Sequence, residues 1–458
     1  MLFISAMLLG SVLTGGILYG LNLFVFQTPP EFKKLHDFYN VLDKNYVEPV
    51  DAEKLVDGAI NGMIKALEDP YTTYMSPEES ERFYEDIQNN FEGIGAEVRE
   101  VNGQTVIVSP IKNSPAEKAG LQANDIILKA NGVDLQGMPV QESVKNIRGP
   151  KGTEVTLLIQ RPGLEEPFEV TIVRDTIPLE SVFTKTLEDG MGLIQITKFS
   201  ETTEEEFEDA LEELRSQGVQ GLIIDLRSNP GGLLNEVLAI TETFVPKGEL
   251  VVQVRYRDGS VQEYRSQSDP IDIPVVVLIN QGSASASEIM AGALKESAGI
   301  PLVGMTTFGK GSVQTTVDYR DGSSLKYTVA EWLTPDGNQI NEKGVAPDFE
   351  VELPEYAKLP YLYVEKTYSE GEVASEIATA QKYLDALGYS PGRTDGMLDR
   401  KTRDALAAFQ TDAGIEAHGR LDDATAVKLV EALRNLVLEN DTQLAKAKEV
   451  LRGQMNAR

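Results

Sequence analysis

The chain has 458 residues, with 42 Lys and Arg against 72 Asp and Glu and a formal net charge of −30. That balance argues against nucleic acid as a partner, since phosphate contacts need clustered basic side chains. The absence of cysteine excludes thiol catalysis, disulfides and Cys-ligated zinc, and with two histidines, His36 and His418, a multi-histidine metal centre has too few ligands. Hydrophobic residues make up 41% and charged residues 25%, the balance of a globular protein, and the length suits roughly two to four domains.

Residues 2–26 contain no charged side chain, and the first charge is Glu31. About 20 helical residues cross a hydrocarbon core, so this run is long enough to span, and no Ala-x-Ala site follows it. The reading is an uncleaved membrane anchor over residues 1–29, with a cleaved signal as the alternative. No Lys or Arg precedes the run while Lys33 and Lys34 follow it, so the positive-inside rule does not support an outward orientation. A start codon placed too late, removing a basic leader, would reconcile the two.

Residues 30–90 read as helix, with apolar positions at Phe38, Val41 and Leu42 and then at Leu55, Ile60, Met63 and Leu67. Asp69-Pro70 and Ser76-Pro77 interrupt it, and Ser76 is placed to cap a helix running through Glu78, Glu79 and Phe83. Residues 91–176 change to short strands punctuated by Gly and Pro, such as Val106-Ile107-Val108 and the run 155–159, with a short helix at 115–119. From 191 onward strand and helix alternate. Strands are expected at 192–196, 222–226 and 275–279, and helices at 203–214, 232–244 and 284–295, an α/β pattern that sets helices against a sheet. Residues 353–372, with Pro354, Pro360 and Gly371, read as a linker; residues 376–436 form a small helical module, and the last twenty-odd residues are polar helix or fray.

A Ser-His-Asp triad needs a histidine beside the nucleophile. His36 lies in the leading helices and His418 in the terminal module, and no His-Glu-x-x-His occurs, so a hydrolase built on the α/β region needs another base. The stretch from Gly304 to Lys310 has the P-loop spacing, but Gly311 stands where a Ser or Thr must bind magnesium, and a strand-like run follows instead of a helix N-terminus. A better candidate is the run from Asn280 to Ile289, which holds Ser283, Ser285 and Ser287 between an apolar strand and a helix. One serine there is an N-cap under any reading, and a serine at that turn also sits where helix amides stabilise an oxyanion. Its base can be a lysine, because burial disfavours the ammonium. Lys310 lies between Gly309 and Gly311, and Gln314, four residues on, can hydrogen-bond the amine without adding charge.

These residues resemble the C-terminal processing, or tail-specific, serine peptidases. The likeness rests on Asn280 to Leu294 (NQGSASASEIMAGAL), Phe308 to Gln314 (FGKGSVQ), Asp225 to Gly232 (DLRSNPGG) and Trp332-Leu333-Thr334-Pro335, in that family's order and across roughly residues 35–355. The resemblance implies an α/β core of the crotonase/ClpP type over residues 177–355. It implies Ser285 as nucleophile, Lys310 as general base and Gln314 as its orienter, with an oxyanion hole from the Gly231 amide, or Gly232, and that of Ala286. Spacing alone does not choose among Ser283, Ser285 and Ser287.

Residues 91–176 resemble the PDZ domain of these peptidases. Gly93, Ile94 and Gly95 stand in the carboxylate-binding loop, which captures a terminal carboxylate while the bound tail adds as a strand. Arg174, in Val173-Arg174-Asp175 at the exit, is the candidate for coupling that domain to the catalytic one, or else an ordinary surface arginine. Residues 375–436 resemble the bacterial peptidoglycan-binding module, through Ala380-Gln381, Leu384, Leu387-Gly388-Tyr389, Asp395-Gly396, Thr402, Ala405 and Phe409-Gln410, then Gly419 and Leu421. Residues 356–374 are the linker and 437–458 a polar C-terminal tail.

The expectation is a multidomain α/β serine endopeptidase without cofactor or metal. It would be a single-pass membrane protein facing the cell wall, engaging protein substrates by their C-terminal tails and holding to peptidoglycan. The rival is a non-catalytic scaffold that only binds peptides and wall. Whether the chain is a monomer or a homo-oligomer is left open by the sequence.

Overall fold

The structure, a computed structural model, describes residues 29–101 and 103–457. The expected anchor, residues 1–29, lies outside them but for its last residue. Among the described residues no helix is long and apolar enough to cross a membrane. They form two compact units, residues 29–77 with 314–328, and residues 78–313 with 329–457.

The smaller unit opens with helices α1 (Pro30–Asn45) and α2 (Ala52–Lys65). Pro30 takes the first helical turn of α1, where its missing N–H costs nothing, and Asp51 caps α2 by accepting from the Glu53 and Lys54 amides. Strand β1 (Thr73–Met75) follows, and helix α3 (Pro77–Gln88) leads into the larger unit.

Residues 90–178 form the β-rich domain that the glycine-punctuated strands predict. Strand β2 (Asn90–Gly93) enters it, and β3 (Ala96–Val101), β4 (Gln104–Pro110), α4 (Pro115–Lys118), β5 (Ile126–Ala130), β6 (Val133–Asp134), α5 (Val140–Ile147), β7 (Glu154–Gln160) and β8 (Phe168–Val173) build it. The exit strand β9 (Asp175–Pro178) pairs antiparallel with β2, so the chain enters and leaves on a two-stranded neck. The sheet order is β3-β4-β5-β7-β8, antiparallel throughout. Its core uses the two-residue period of strands: Val155, Leu157 and Ile159 of β7 are wholly buried against Ile107, Ile127 and Leu135.

The α/β core carries the order β10-β11-β12-β15-β16-β19, parallel except at β10. In chain order its elements are β10 (Val182–Thr186), β11 (Met191–Ile196), α6 (Thr203–Ser216), β12 (Gly221–Asp225), α7 (Leu234–Glu242), β13 (Leu250–Tyr256), β14 (Val261–Arg265), β15 (Val275–Ile279), α8 (Ala286–Glu296) and β16 (Leu302–Gly304). Next come β17 (Ser312–Asp318), β18 (Ser324–Leu333) and β19 (Phe349–Glu350). Every residue of β12 and β15 is buried, as continuous apolar runs in a parallel sheet should be when both faces are covered. Ile194, Leu222, Ile224, Val277 and Ile279 face a core shared with Phe207, Val237 and Ile289 of α6, α7 and α8. The alternate residues Met191, Ile223, Val276, Leu278 and Val303 face the other way.

Within this unit β13 pairs with β14 and with residues 330–333 of β18. In the smaller unit residues 324–326 of the same strand pair with β1, and Tyr319 and Ser323 close the turn that joins β17 to β18.

The helical module consists of α9 (Ser375–Ala386), α10 (Arg400–Asp412) and α11 (Asp423–Glu439) around Leu384, Leu406, Phe409, Leu421 and Leu429. It contains an internal repeat that the sequence reading passed over. Gln381 accepts from the Gly396 amide and donates to Met397 O and Thr402 Oγ1; Gln410 accepts from the Gly419 amide and donates to Arg420 O and Thr425 Oγ1. In both copies the glycine precedes an aspartate N-cap, Asp399 or Asp422, that holds the threonine amide. His418 belongs to this frame, pairing with Asp422.

The segment expected as polar helix or fray is a helix with a buried face. Residues 442–456 form a helix, α12 (Thr442–Asn456), whose Ala447 and Leu451 are fully buried on the second face of the α/β sheet, against Ile223, Val276 and Leu278. Its stripe of Leu444, Ala447, Val450, Leu451 and Met455 has helical spacing, and in so polar a segment five apolar residues suffice to dock it. The module is therefore an insertion between β19 and α12.

Candidate active site

Ser285 stands where β15 gives way to α8, as the N-cap of that helix, with φ 55° and ψ −114°. L-residues rarely adopt such a conformation, which costs of order 1–3 kcal/mol and survives only where the surroundings fix it. Here the flanking residues do so. Ser283 Oγ donates to Leu226 O at 2.8 Å and accepts from the Asn280 amide at 3.0 Å. Ser287 Oγ donates to Asn229 O at 3.0 Å, and the Ala284 amide donates to the same carbonyl at 2.9 Å. Both serines are fully buried, whereas Ser285 between them is half-buried. The structure thus separates the three serines that spacing alone left equivalent: two brace the turn and one is presented by it.

Across this turn runs the loop from Asp225 to Gly232. Asn229, fully buried, donates through Nδ2 to Ile196 O and accepts the Gly231 amide on Oδ1 at 2.8 Å. Gly231 has φ 101°, and a Cβ there would lie 2.8 Å from Ser285 Cβ and 2.9 Å from the Ala286 nitrogen, so only glycine permits the approach. Gly231 and Ala286 are therefore brought together at Ser285, with the Gly231 amide held by Asn229. Gly232 is exposed, at φ 148°.

Lys310 is half-buried on the loop between β16 and β17, and the segment after it is a strand, so the P-loop spacing has no helix beside it. Gly309 and Gly311 let the loop touch other backbone: Cβ atoms on them would fall 2.9 Å from the Lys343 nitrogen and 2.6 Å from the Asn341 nitrogen. Lys310 O accepts from the Trp332 indole at 2.9 Å.

One side chain outside the expected set joins these pieces. Glu288, fully buried on the first turn of α8, accepts on Oε2 from the Ser285 amide at 2.8 Å and the Lys310 amide at 2.9 Å. Its Oε1 accepts from Thr307 Oγ1 at 2.6 Å and the Gly309 amide at 2.7 Å. The turn of Ser285 and the loop of Lys310 thus share a single carboxylate, which accepts from four donors. The sequence carried a signal: Ser-x-x-Glu is a capping-box pattern, and Glu288 is the one acid among the buried residues 286–294 of α8.

The other expected site residues have surroundings of their own. Gln314 belongs to the smaller unit, where its Nε2 donates to Thr328 Oγ1 at 3.3 Å. Gly93, Ile94 and Gly95 form the buried turn between β2 and β3. Ile94 O accepts from the Ala116 amide, and Gly95 O accepts from the Ile111 amide and Ser114 Oγ. Since C=O and the following N–H oppose each other across a trans peptide, the inward Ile94 carbonyl turns the Gly95 amide outward. Gly95, at φ 75°, could not carry a side chain, whose Cβ would meet Ser114 Cβ at 2.4 Å. Arg174 is buried and engages Ile147 O at 2.8 Å, Thr153 Oγ1 at 2.9 Å and Glu154 O at 3.0 Å, all within the β-rich domain; burial lowers its pKa.

Comparison with known proteins accounts for nearly all of the chain. Residues 190–351 match peptidase family S41, residues 24–79 the N-terminal domain of the activating protease CtpB, residues 106–161 a PDZ domain and residues 373–429 a putative peptidoglycan binding domain. The carboxy-terminal processing protease CtpA of Bacillus subtilis is 46% identical over 426 residues, 93% of this chain and 91% of the relative. The carboxy-terminal processing protease CtpB of the same organism is 39% identical over 462 residues, 96% of each. Among solved structures, the photosystem II D1 C-terminal processing protease is 31% identical, with 71% of this chain and 87% of that one covered at a TM-score of 0.42.

Proposed function

The chain belongs to the carboxy-terminal processing proteases of peptidase family S41, and from that premise we propose a serine endopeptidase in which Ser285 is the nucleophile, Lys310 its general base and Gln314 the residue that orients the lysine amine. The observation that carries this reading is the shared carboxylate of Glu288, which holds the amides of Ser285 and Lys310 on one oxygen.

The chemistry is acyl transfer. Ser285 Oγ attacks the scissile carbonyl carbon while its proton passes to the uncharged Lys310 amine. Negative charge gathers on the carbonyl oxygen, for which the Ala286 amide at the start of α8 and a glycine amide of the 225–232 loop are the candidate donors. For Gly231 this means exchanging the Asn229 Oδ1 bond for one to the substrate oxygen; Gly232 is the alternative. The ammonium then returns the proton to the leaving amine, and water hydrolyses the acyl-enzyme by the same route.

The PDZ domain recruits substrates by their C-terminal ends, with the turn of Gly93, Ile94 and Gly95 receiving the carboxylate and Arg174 bracing the domain's exit. The helical module holds the enzyme to peptidoglycan, and residues 1–29 anchor it in the cell membrane with the catalytic part outside.

The test is incubation of the purified protein with an unfolded substrate. Ser285→Ala is expected to lower cleavage by at least about a thousandfold, and Lys310→Arg by a similar factor, because a guanidinium does not release its proton near neutrality. Equal fragmentation by Ser285→Ala would remove the nucleophile assignment; turnover by Lys310→Arg would remove the base.

A further inference from the structure

Arg227 lies two residues beyond the end of β12, at the root of the loop that faces Ser285. Its guanidinium grips Asp225 through Nε at 2.9 Å and Nη2 at 2.7 Å. Through Nη1 it reaches Asp441, at 3.0 Å from Oδ1 and 2.8 Å from Oδ2, and Gln443 Oε1 at 3.1 Å. Asp225 and Asp441 are 5% and 9% exposed and Arg227 15%, so water contributes little to holding the three together. Burial works to lower the guanidinium pKa, and the two carboxylates outweigh it, leaving it raised.

Asp441 is also the N-cap of α12, accepting from the Leu444 amide at 2.9 Å. Its neighbours are stapled to the end of the sheet, Thr442 Oγ1 to Glu352 O at 2.6 Å and Gln443 Nε2 to Val351 O at 2.8 Å. On the other side of Arg227, the next carbonyl along, Leu226 O, takes the bond from Ser283, and Asn229 O takes those from Ala284 and Ser287. A chain of contacts therefore runs from the first residue of the terminal segment to the turn that presents the nucleophile.

We infer that Asp441, the N-cap of α12, is coupled to the catalytic site: it aims Arg227, and Arg227 sets the 225–232 loop against Ser285. Arg227 and Asp441 are positioning residues, and the inference rests on the assignment of Ser285. Docking the helix does not require the ion pair, since Leu451 and Met455 pack on Gly221, where a Cβ would lie 2.8 Å from Met455 Sδ. A buried ion pair is a poor source of net stability and a good means of fixing one geometry.

The experiment measures kcat, KM and Tm of the full chain on an unstructured peptide, for Asp441→Asn and for Leu451→Ala, which loosens the same helix but leaves the ion pair. Asp441→Asn is expected to lower kcat about tenfold or more with KM within about twofold, the mark of an interaction made in the transition state. Leu451→Ala should lower Tm at least as much while keeping kcat within about threefold below its melting transition. If Leu451→Ala does not fold, the milder Met455→Ala takes its place. Unchanged kcat in Asp441→Asn, or kcat falling in step with Tm in both variants, overturns the inference. Absence of Ser285-dependent turnover in the unmodified chain overturns it together with the peptidase reading, whereas turnover indifferent to Asp441→Asn overturns it alone.

Discussion

Ser285 is held in a backbone conformation suited to glycine, so its contribution to stability and to chemistry should have opposite signs. Ser285→Gly and Ser285→Ala both remove the hydroxyl, but only alanine keeps a Cβ at φ 55°. The glycine variant is expected to be more stable than the alanine variant by about 1 kcal/mol, the strain relieved less the extra chain entropy of glycine, with both inactive. Thermal melts of the two proteins check this. Glu288→Gln turns one acceptor into a donor that faces amide and hydroxyl donors, a loss of about 1–3 kcal/mol and a fall in kcat of about tenfold or more, read from melting curves and steady-state rates. The turn of Ser285 and the loop of Lys310 were legible as candidates because short runs of sequence mark them, though the choice of Ser285 over Ser283 and Ser287 came from the family resemblance and not from spacing. Glu288 was half legible as a capping-box acid; its bonds to Thr307, Gly309 and Lys310 come from a loop about twenty residues on, which local pattern cannot reach. The pairing of Arg227 with Asp441 bridges 214 positions and was invisible for the same reason.

At the level of single helices, Glu236 of α7 is 5% exposed and accepts the Glu204 amide at the N-terminus of α6. Burial raises its pKa, further lifted by Glu204 and Glu201 and opposed by that amide. A raised folded value means that the group's contribution is fully present below the ordinary 4.5 and is lost as pH climbs through the folded value. Glu236→Gln is therefore expected to raise Tm at neutral pH and to lose that gain in acid, checked by melts across pH. In the module, Gln381→Leu would strand the Gly396 amide, Met397 O and Thr402 Oγ1 in a buried site, and a loss of roughly 2–4 kcal/mol from the module's own unfolding is expected by denaturant titration. Strands β12 and β15 and helices α6 to α8 were legible from period and apolar runs. The helix expected at 284–295 begins at Ala286, because Ser285 leaves helical geometry. Helix α12 was expected as polar helix or fray because the five apolar residues of its stripe are spread through a polar segment, and what docks it is a sheet face contributed by residues 191–303.

Over the whole molecule, the peptidoglycan-binding-type domain leaves the protease after β19 and hands the chain back at Asp441. The segment expected as a linker packs Leu362, Val364 and Tyr368 into the module's core, so an engineered cut between β19 and Leu362 should give two fragments that stay together on size-exclusion chromatography and keep activity, because Ala447 and Leu451 hold the second fragment to the sheet. Fragments that separate would show that the helix does not hold the second fragment to the sheet. The same topology bears on biosynthesis. The second face of the sheet lacks its cover until the segment beyond Asp441 has been made, and a product that stops short of Asp441 has an Arg227 answered only by Asp225. Synthesis that halts inside the module therefore leaves Ile223, Val276 and Leu278 bare on one face of the sheet, an apolar surface open to aggregation until α12 arrives.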